Sequence, residues 1–213
     1  MVRDRSPRTA TARGKLLAAA FDLIRAQGLA ATSVDQLCER AGVTKGAFFH
    51  HFATKEALAV AAAQEWGATT GAFFAAAGYH QQRDPLERIF AYLDLWASLI
   101  EGGPAAYSCV AGTMVQEAFA TSPAIRDACG TMFFEHAATL ESDIQAAIDQ
   151  HAPALEVTAR SLAVHILVVL HGAFVVSKAG DDPQIVLDSI EHLRRYLRQL
   201  FTAEANHPKE KES

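Results

Sequence analysis

Between positions 44 and 51 the chain carries Thr44, Lys45, Gly46, Phe49, His50 and His51, in a stretch too polar and too short to be ordinary core. An ammonium and two imidazoles can donate hydrogen bonds to phosphates or base edges, and a phenyl ring can press on a sugar or a thymine methyl. Gly46 lets a helix approach a duplex closely. Upstream, Thr32 and Ser33 offer a hydroxyl and a helix N-terminus to a phosphate backbone. Downstream, Lys55 opens the next helix within reach of the same strand. The chemistry these residues share is recognition of DNA.

Such residues need a rigid frame, and the neighbouring sequence supplies one. Ser33 followed by Gln36 forms a capping box, opening a helix with an apolar stripe of Val34, Leu37, Cys38 and Ala41. Gly42 can take positive φ and stops that helix. Thr44 is placed to cap a second helix, with Phe48 and Phe52 free to anchor it from below. Two short helices joined by a tight glycine turn are a helix-turn-helix, whose second helix lies in the DNA major groove.

The stretch from Gly28 to Leu58 resembles the DNA-binding domain of the TetR/AcrR family of bacterial transcriptional regulators. The matching elements are Thr32-Ser33-Val34, Ala41-Gly42-Val43-Thr44-Lys45-Gly46, His51-Phe52 and Lys55-Glu56-x-Leu58. The likeness is specific for about the first quarter of the chain; beyond it only a general all-helical plan is shared. Phe49 departs from the pattern, because the family usually has tyrosine there and a phenyl ring has no hydroxyl to give to a phosphate. The resemblance implies a ligand-responsive DNA-binding regulator, usually a repressor. It also implies a two-fold homodimer joined through a four-helix bundle.

Charge fits that reading once it is divided along the chain. The net charge is −5, but residues 1–55 carry nine Lys/Arg and four Asp/Glu, whereas the remainder carries ten and twenty. A basic end on an acidic body concentrates phosphate attraction where the helix-turn-helix lies. Three widely spaced cysteines argue against a disulfide framework or a zinc site. The nine histidines do not converge in spacing, His165 and His171 falling on different faces of one helix, so no metal and no cofactor is expected. No G-x-S-x-G elbow, H-E-x-x-H, phosphate loop or dinucleotide fingerprint is found, so the chain does not read as an enzyme. The most apolar run, Leu162 to Val176, is broken by His165 and His171 and reads as a buried or dimer-buried helix rather than a membrane span. The basic, polar start has no apolar core of a secretory signal, and a cytoplasmic location is the expectation.

The fold class read from this pattern is all-α: an N-terminal three-helix DNA-binding domain joined to a C-terminal helical ligand-binding and dimerisation domain. Residues 1–8, with Arg3, Arg5 and Arg8, read as a mobile basic arm, either a minor-groove arm or a solubilising tail. Residues 9–53 form the DNA-binding domain, 54–203 the helical body and 204–213 a disordered polar tail. Within the body, Thr54 caps a helix running to about Ala77, roughly 35 Å long at about 1.5 Å per residue. Asp84-Pro85 starts a helix to about Ile100. A segment from Pro104 to Ala120 kinks near Cys109, Ser122-Pro123 restarts a helix to about Gln150, another spans about Leu155 to Lys178, and Asp182-Pro183 opens the last, ending near Phe201.

The second-to-last helix carries Leu162, Ile166, Val169, Ala173 and Val176 on one side and Leu167, Leu170 and Phe174 on another, more apolar surface than one packing side needs. A second copy of the chain would cover it. Two recognition helices would then read half-sites ~34–36 Å apart, or a multiple of that, on a palindromic operator. Trp66, Thr70, Phe73, Phe74, Trp96, Tyr107, Cys109, Met114, Phe133 and Phe174 either line a site for a small hydrophobic effector or fill the core. Glu117 and His136, polar beside apolar faces, either orient such a ligand or sit satisfied at the surface, with the surface the favoured reading. Cys109 is either an oxidant- or electrophile-sensing thiol at a helix entry or a small apolar residue. A structural DNA binder of the same fold, without an inducer, is the alternative function. The sequence does not give the effector, the operator, the target genes or the choice between repression and activation.

Overall fold

A computed structural model describes residues 11–203; the arm with Arg3, Arg5 and Arg8 and the tail from Glu204 lie outside the described residues. Among the described residues all regular structure is helical, with no strand. In chain order the helices are α1 (Ala12–Gln27), α2 (Val34–Ala41), α3 (Lys45–His51), α4 (Lys55–Ala75), α5 (Pro85–Ser98), α6 (Pro104–Tyr107), α7 (Val110–Ala118), α8 (Pro123–His151), α9 (Ala159–Gly180) and α10 (Gln184–Ala203), with a 3-10 turn at Gly78–Gln81. The chain divides into two compact units. One comprises the residues up to Ala75 together with Gly102–Phe133; the other comprises Ala76–Glu101 and the residues from Phe134 onward.

The first unit is built around α1, which packs on α2, α3, α4, α6 and α7. Thr11 caps it by accepting a hydrogen bond from Gly14 N, and Leu16, Leu17, Ala20 and Ile24 are buried along it. It ends at Gly28, whose φ of 87° would strain any side-chain-bearing residue. On α4, capped by Thr54, alanines at 59, 62 and 63 are fully buried beside Leu58 and let the backbone come close. This helix ends at Ala75, short of the expected Ala77, and the chain then enters the 3-10 turn. Where the sequence predicts a kink near Cys109 there is a complete break. Ser108 is extended, and Cys109 becomes the N-cap of α7 with its sulfur accepting from Gly112 N at 3.4 Å.

The second unit opens with the expected cap: Asp84 Oδ1 accepts from Leu86 N at 2.8 Å and Glu87 N at 3.2 Å, with Pro85 in the first turn. Its α9 starts at Ala159, four residues later than the sequence suggests. Thr158 accepts from Ser161 N, and that cap fixes the helix start downstream of the Pro153 interruption. By length and composition α9 could cross a membrane. Instead it buries Leu162, Ala163, Ile166, Leu167, Leu170, Ala173 and Phe174 and packs along α10. Val168, Val175 and Val176 face outward on α9, as does Tyr196 on α10. The sequence pattern groups Val176 with Leu162 and Ile166, but Val176 is exposed and belongs to the outward side of α9.

Candidate nucleic-acid interface

The turn between α2 and α3 is fixed by short-range hydrogen bonds. Ser33 Oγ accepts from Gln36 N at 3.2 Å while Ser33 N donates to Gln36 Oε1 at 2.9 Å, closing the capping box. Gly42 sits in the left-handed region (φ 64°), and Gly42 N and Val43 N donate to Glu39 O and Cys38 O. Thr44 Oγ1 then accepts from Ala47 N at 3.2 Å and starts α3. Phe48, 0% exposed, and Phe52 hold α3 onto the unit, with the Arg13 guanidinium 5.6 Å from the Phe52 ring centroid.

With its apolar side so anchored, α3 turns a polar side outward. Thr44, Lys45, Gly46, His50 and His51 are exposed, and Phe49 is 55% exposed with its ring edge-on to Phe48. A Cβ on Gly46 would stand 3.7 Å from Thr44 Oγ1, in ordinary contact, so tertiary packing does not demand glycine there. Lys45 Nζ lies 2.7 Å from Asp35 Oδ1 on α2, and this hydrogen bond raises the lysine's pKa above its ordinary value. Both partners are solvated, so such a pair is weakly held and Lys45 can exchange Asp35 for a DNA acceptor.

Two residues assigned to DNA from the sequence have other work. Thr32 is buried, and its hydroxyl donates to Gly28 O at 2.6 Å, so it is not turned to an external phosphate. Lys55 donates from Nζ to Leu29 O and Thr32 O, each at 3.0 Å, spending its ammonium on the loop that precedes α2. Sequence reasoning missed this because these contacts join residues 26 and 23 positions apart. It also missed Asp35 as Lys45's partner and Gln27, whose amide donates to Ala31 O at 3.0 Å. Glu117, noticed only as a polar residue beside an apolar face, accepts from Ala30 N at 2.7 Å in the same loop.

Of the ten residues read as a ligand lining, Trp96 and Phe174 lie in the second unit and the others in the first. Trp66 is edge-on to Phe21 of α1 (5.2 Å between centroids), under the Arg25 guanidinium, which ties it to the helices beside the helix-turn-helix. Thr70 Oγ1 donates to Trp66 O at 2.7 Å. Phe73 is exposed, whereas Phe74, Tyr107, Cys109 and Met114 are buried and Phe133 is half-buried. Within the second unit, the rings of Trp96 and Phe174 lie 5.7 Å apart at a 49° tilt, beside a pair of histidines. The surface reading of His136 is corrected: its Nε2 pairs with the hydroxyl of buried Tyr92 at 2.8 Å, and desolvation pushes its pKa down to about 4. Desolvation, with His136 nearby, brings His171 down to about 4 as well. The three cysteines are buried and form no disulfide, and burial, then Cys109, pushes the Cys129 thiol up to about 12.

Residues 16–62 match the family model for bacterial regulatory proteins of the tetR family, and residues 85–195 match the tetracyclin repressor-like C-terminal domain. The structure is similar to a TetR transcriptional regulator from Chloroflexus aurantiacus, at 26% identity over 91% of this chain and 98% of that one, with a TM-score of 0.77. It is likewise similar to a TetR-family regulator from Agrobacterium tumefaciens (21% identity, 90% and 98% covered, TM-score 0.77). Reduced NemR of E. coli is a third such structure (20% identity, 86% and 95% covered, TM-score 0.75). No curated relative matches the sequence.

Proposed function

Because the chain belongs to the TetR family of bacterial regulators, we propose that it is a cytoplasmic homodimeric repressor, released from a palindromic operator by a small hydrophobic or electrophilic effector. The observation that carries the DNA half is the outward side of α3, where Thr44, Lys45, Gly46, Phe49, His50 and His51 project from a helix pinned by Phe48 and Phe52. Lys45 donates to a base edge or phosphate, the histidines donate to phosphates, and Phe49 contacts a sugar or thymine methyl. Ser33 and the first turn of α2 meet the backbone of the duplex. Thr32 and Lys55 serve this interface from behind, by holding the loop that leads into α2.

Val168, Val175, Val176 and Tyr196 support the homodimer, since they leave an apolar strip on the outside of packed helices. For the effector, the support is the aromatic content of the helices after α3. Cys109 adds a buried thiol as the N-cap of α7, facing the helix N-terminus. An effector acts by binding two conformations of the dimer unequally, lowering operator affinity as it favours one.

Fluorescence anisotropy with duplexes selected from random DNA tests this reading, run with and without a panel of hydrophobic compounds and thiol-reactive electrophiles. Tight, salt-sensitive binding released by one compound class is the expected result. Specific binding that no compound releases would favour the inducer-free DNA binder. A Cys109→Ser protein that still responds to quinones and aldehydes would remove the thiol from the account.

A further inference from the structure

The loop from Gly28 to Thr32 joins α1 to the N-cap of α2, and it is gripped from two sides. From α7, Glu117 Oε2 accepts from Ala30 N at 2.7 Å. The other oxygen of that carboxylate occupies the space where a Cβ on Gly28 would stand, so the glycine that ends α1 also opens the notch for Glu117. From α4, the Lys55 ammonium donates to Leu29 O and Thr32 O at 3.0 Å. The last residue of the loop is followed directly by Ser33, the cap on which α2 starts. A carboxylate and an ammonium thus hold Leu29, Ala30 and Thr32 of a five-residue connector whose far end sets where α2 begins.

We propose that Glu117 and Lys55 are positioning residues for operator binding, and that the Gly28–Thr32 loop is the connector through which a shift of α7 against α1 changes the setting of α2 and α3. This rests on the operator-binding reading and names its regulation. The physical basis is a charge-assisted hydrogen bond to one backbone amide and two to backbone carbonyls, within a segment too short to absorb a displacement. Moving α7 either drags Ala30 or breaks its bond to Glu117. Both outcomes alter the register of Ser33. By reciprocity, DNA held on α2 and α3 steadies α7 through the same bond.

The test uses the full chain, the duplex selected by the wild-type protein, and the variants Glu117→Gln, Glu117→Leu and Lys55→Arg. Glutamine keeps an acceptor for Ala30 N, and arginine keeps donors for the two carbonyls. Glu117 is exposed, so the leucine variant folds. Glu117→Leu is expected to weaken operator binding about three- to tenfold, with Glu117→Gln and Lys55→Arg near wild type. In hydrogen exchange, the Ala30 amide of the free Glu117→Leu protein exchanges faster than in wild type. Added duplex slows exchange in α7 of the wild type but not of Glu117→Leu. Wild-type affinity in Glu117→Leu, or DNA-induced protection of its α7, would overturn the proposal. If the wild-type protein selects no duplex, the operator reading fails instead, and unchanged Ala30 exchange between the free proteins would then overturn the grip itself.

Discussion

Two pairs of histidines divide the work of this chain. His50 and His51 stand edge-to-face on the outside of α3, 4.9 Å between centroids, in water and beside the proposed groove. His136 and His171 lie in the second unit among Tyr92, Trp96 and Phe174, where desolvation brings both pKa values to about 4. The first pair can donate hydrogen bonds to a phosphate; the second, with pKa values held near 4 by desolvation, is neutral at ordinary pH and acts as a polar part of an aromatic interior. Residue type is the same in both, and the surroundings decide the chemistry.

The contrast between an anchored outer face and an enclosed inner cluster can be broken at its strongest point first. Phe48→Ala removes the ring that pins α3 and should cost about 3–5 kcal/mol of stability, read by thermal or urea unfolding. Stability unchanged by that substitution would mean that α3 is not held as described. Next is acid. Unfolded His136 and His171 take up protons near the ordinary value of 6.5, whereas the folded forms resist until about 4. Their contribution is therefore intact above pH 6.5 and lost as pH falls toward 4, by about 3 kcal/mol per histidine. Replacing both with phenylalanine should flatten that slope in urea titrations between pH 7 and 4.5, and an unaltered slope would contradict the enclosure.

Smaller effects sharpen the outer face. Lys45→Ala should weaken operator binding about tenfold with the fold intact, measured by anisotropy and circular dichroism. Ser33→Ala breaks the capping box and should lower stability by about 1 kcal/mol. His50→Ala and His51→Ala should leave stability within about 0.5 kcal/mol while reducing DNA affinity a few-fold. A destabilised His51→Ala protein with normal affinity would assign that ring to packing instead.

What the sequence made legible was chemistry that closes within a few residues. Ser33 with Gln36, Gly42, Thr44, Thr54 and Asp84-Pro85 each sit within four positions of the amide they serve, so their types and spacing carry the information. The family likeness covered the same ground, and both family models now extend it to most of the chain. What was not legible depends on folding distant segments together. Lys55 reads as a surface cation until α1 brings Leu29 O and Thr32 O to it. His136 reads as surface until Tyr92, 44 positions earlier, meets it. The outward strip of α9 escaped for a different reason: that helix is apolar all round, so periodicity could not choose the covered side.

The central claim is that α3 reads DNA through its outward face, and the most direct test is anisotropy of a duplex selected by the wild-type protein, titrated with wild type and Lys45→Ala across a range of salt. The account expects tight binding that weakens steeply with salt, and a Lys45→Ala protein that binds about tenfold more weakly with a shallower or equal salt slope. Equal affinity of the two proteins for the selected duplex would contradict it.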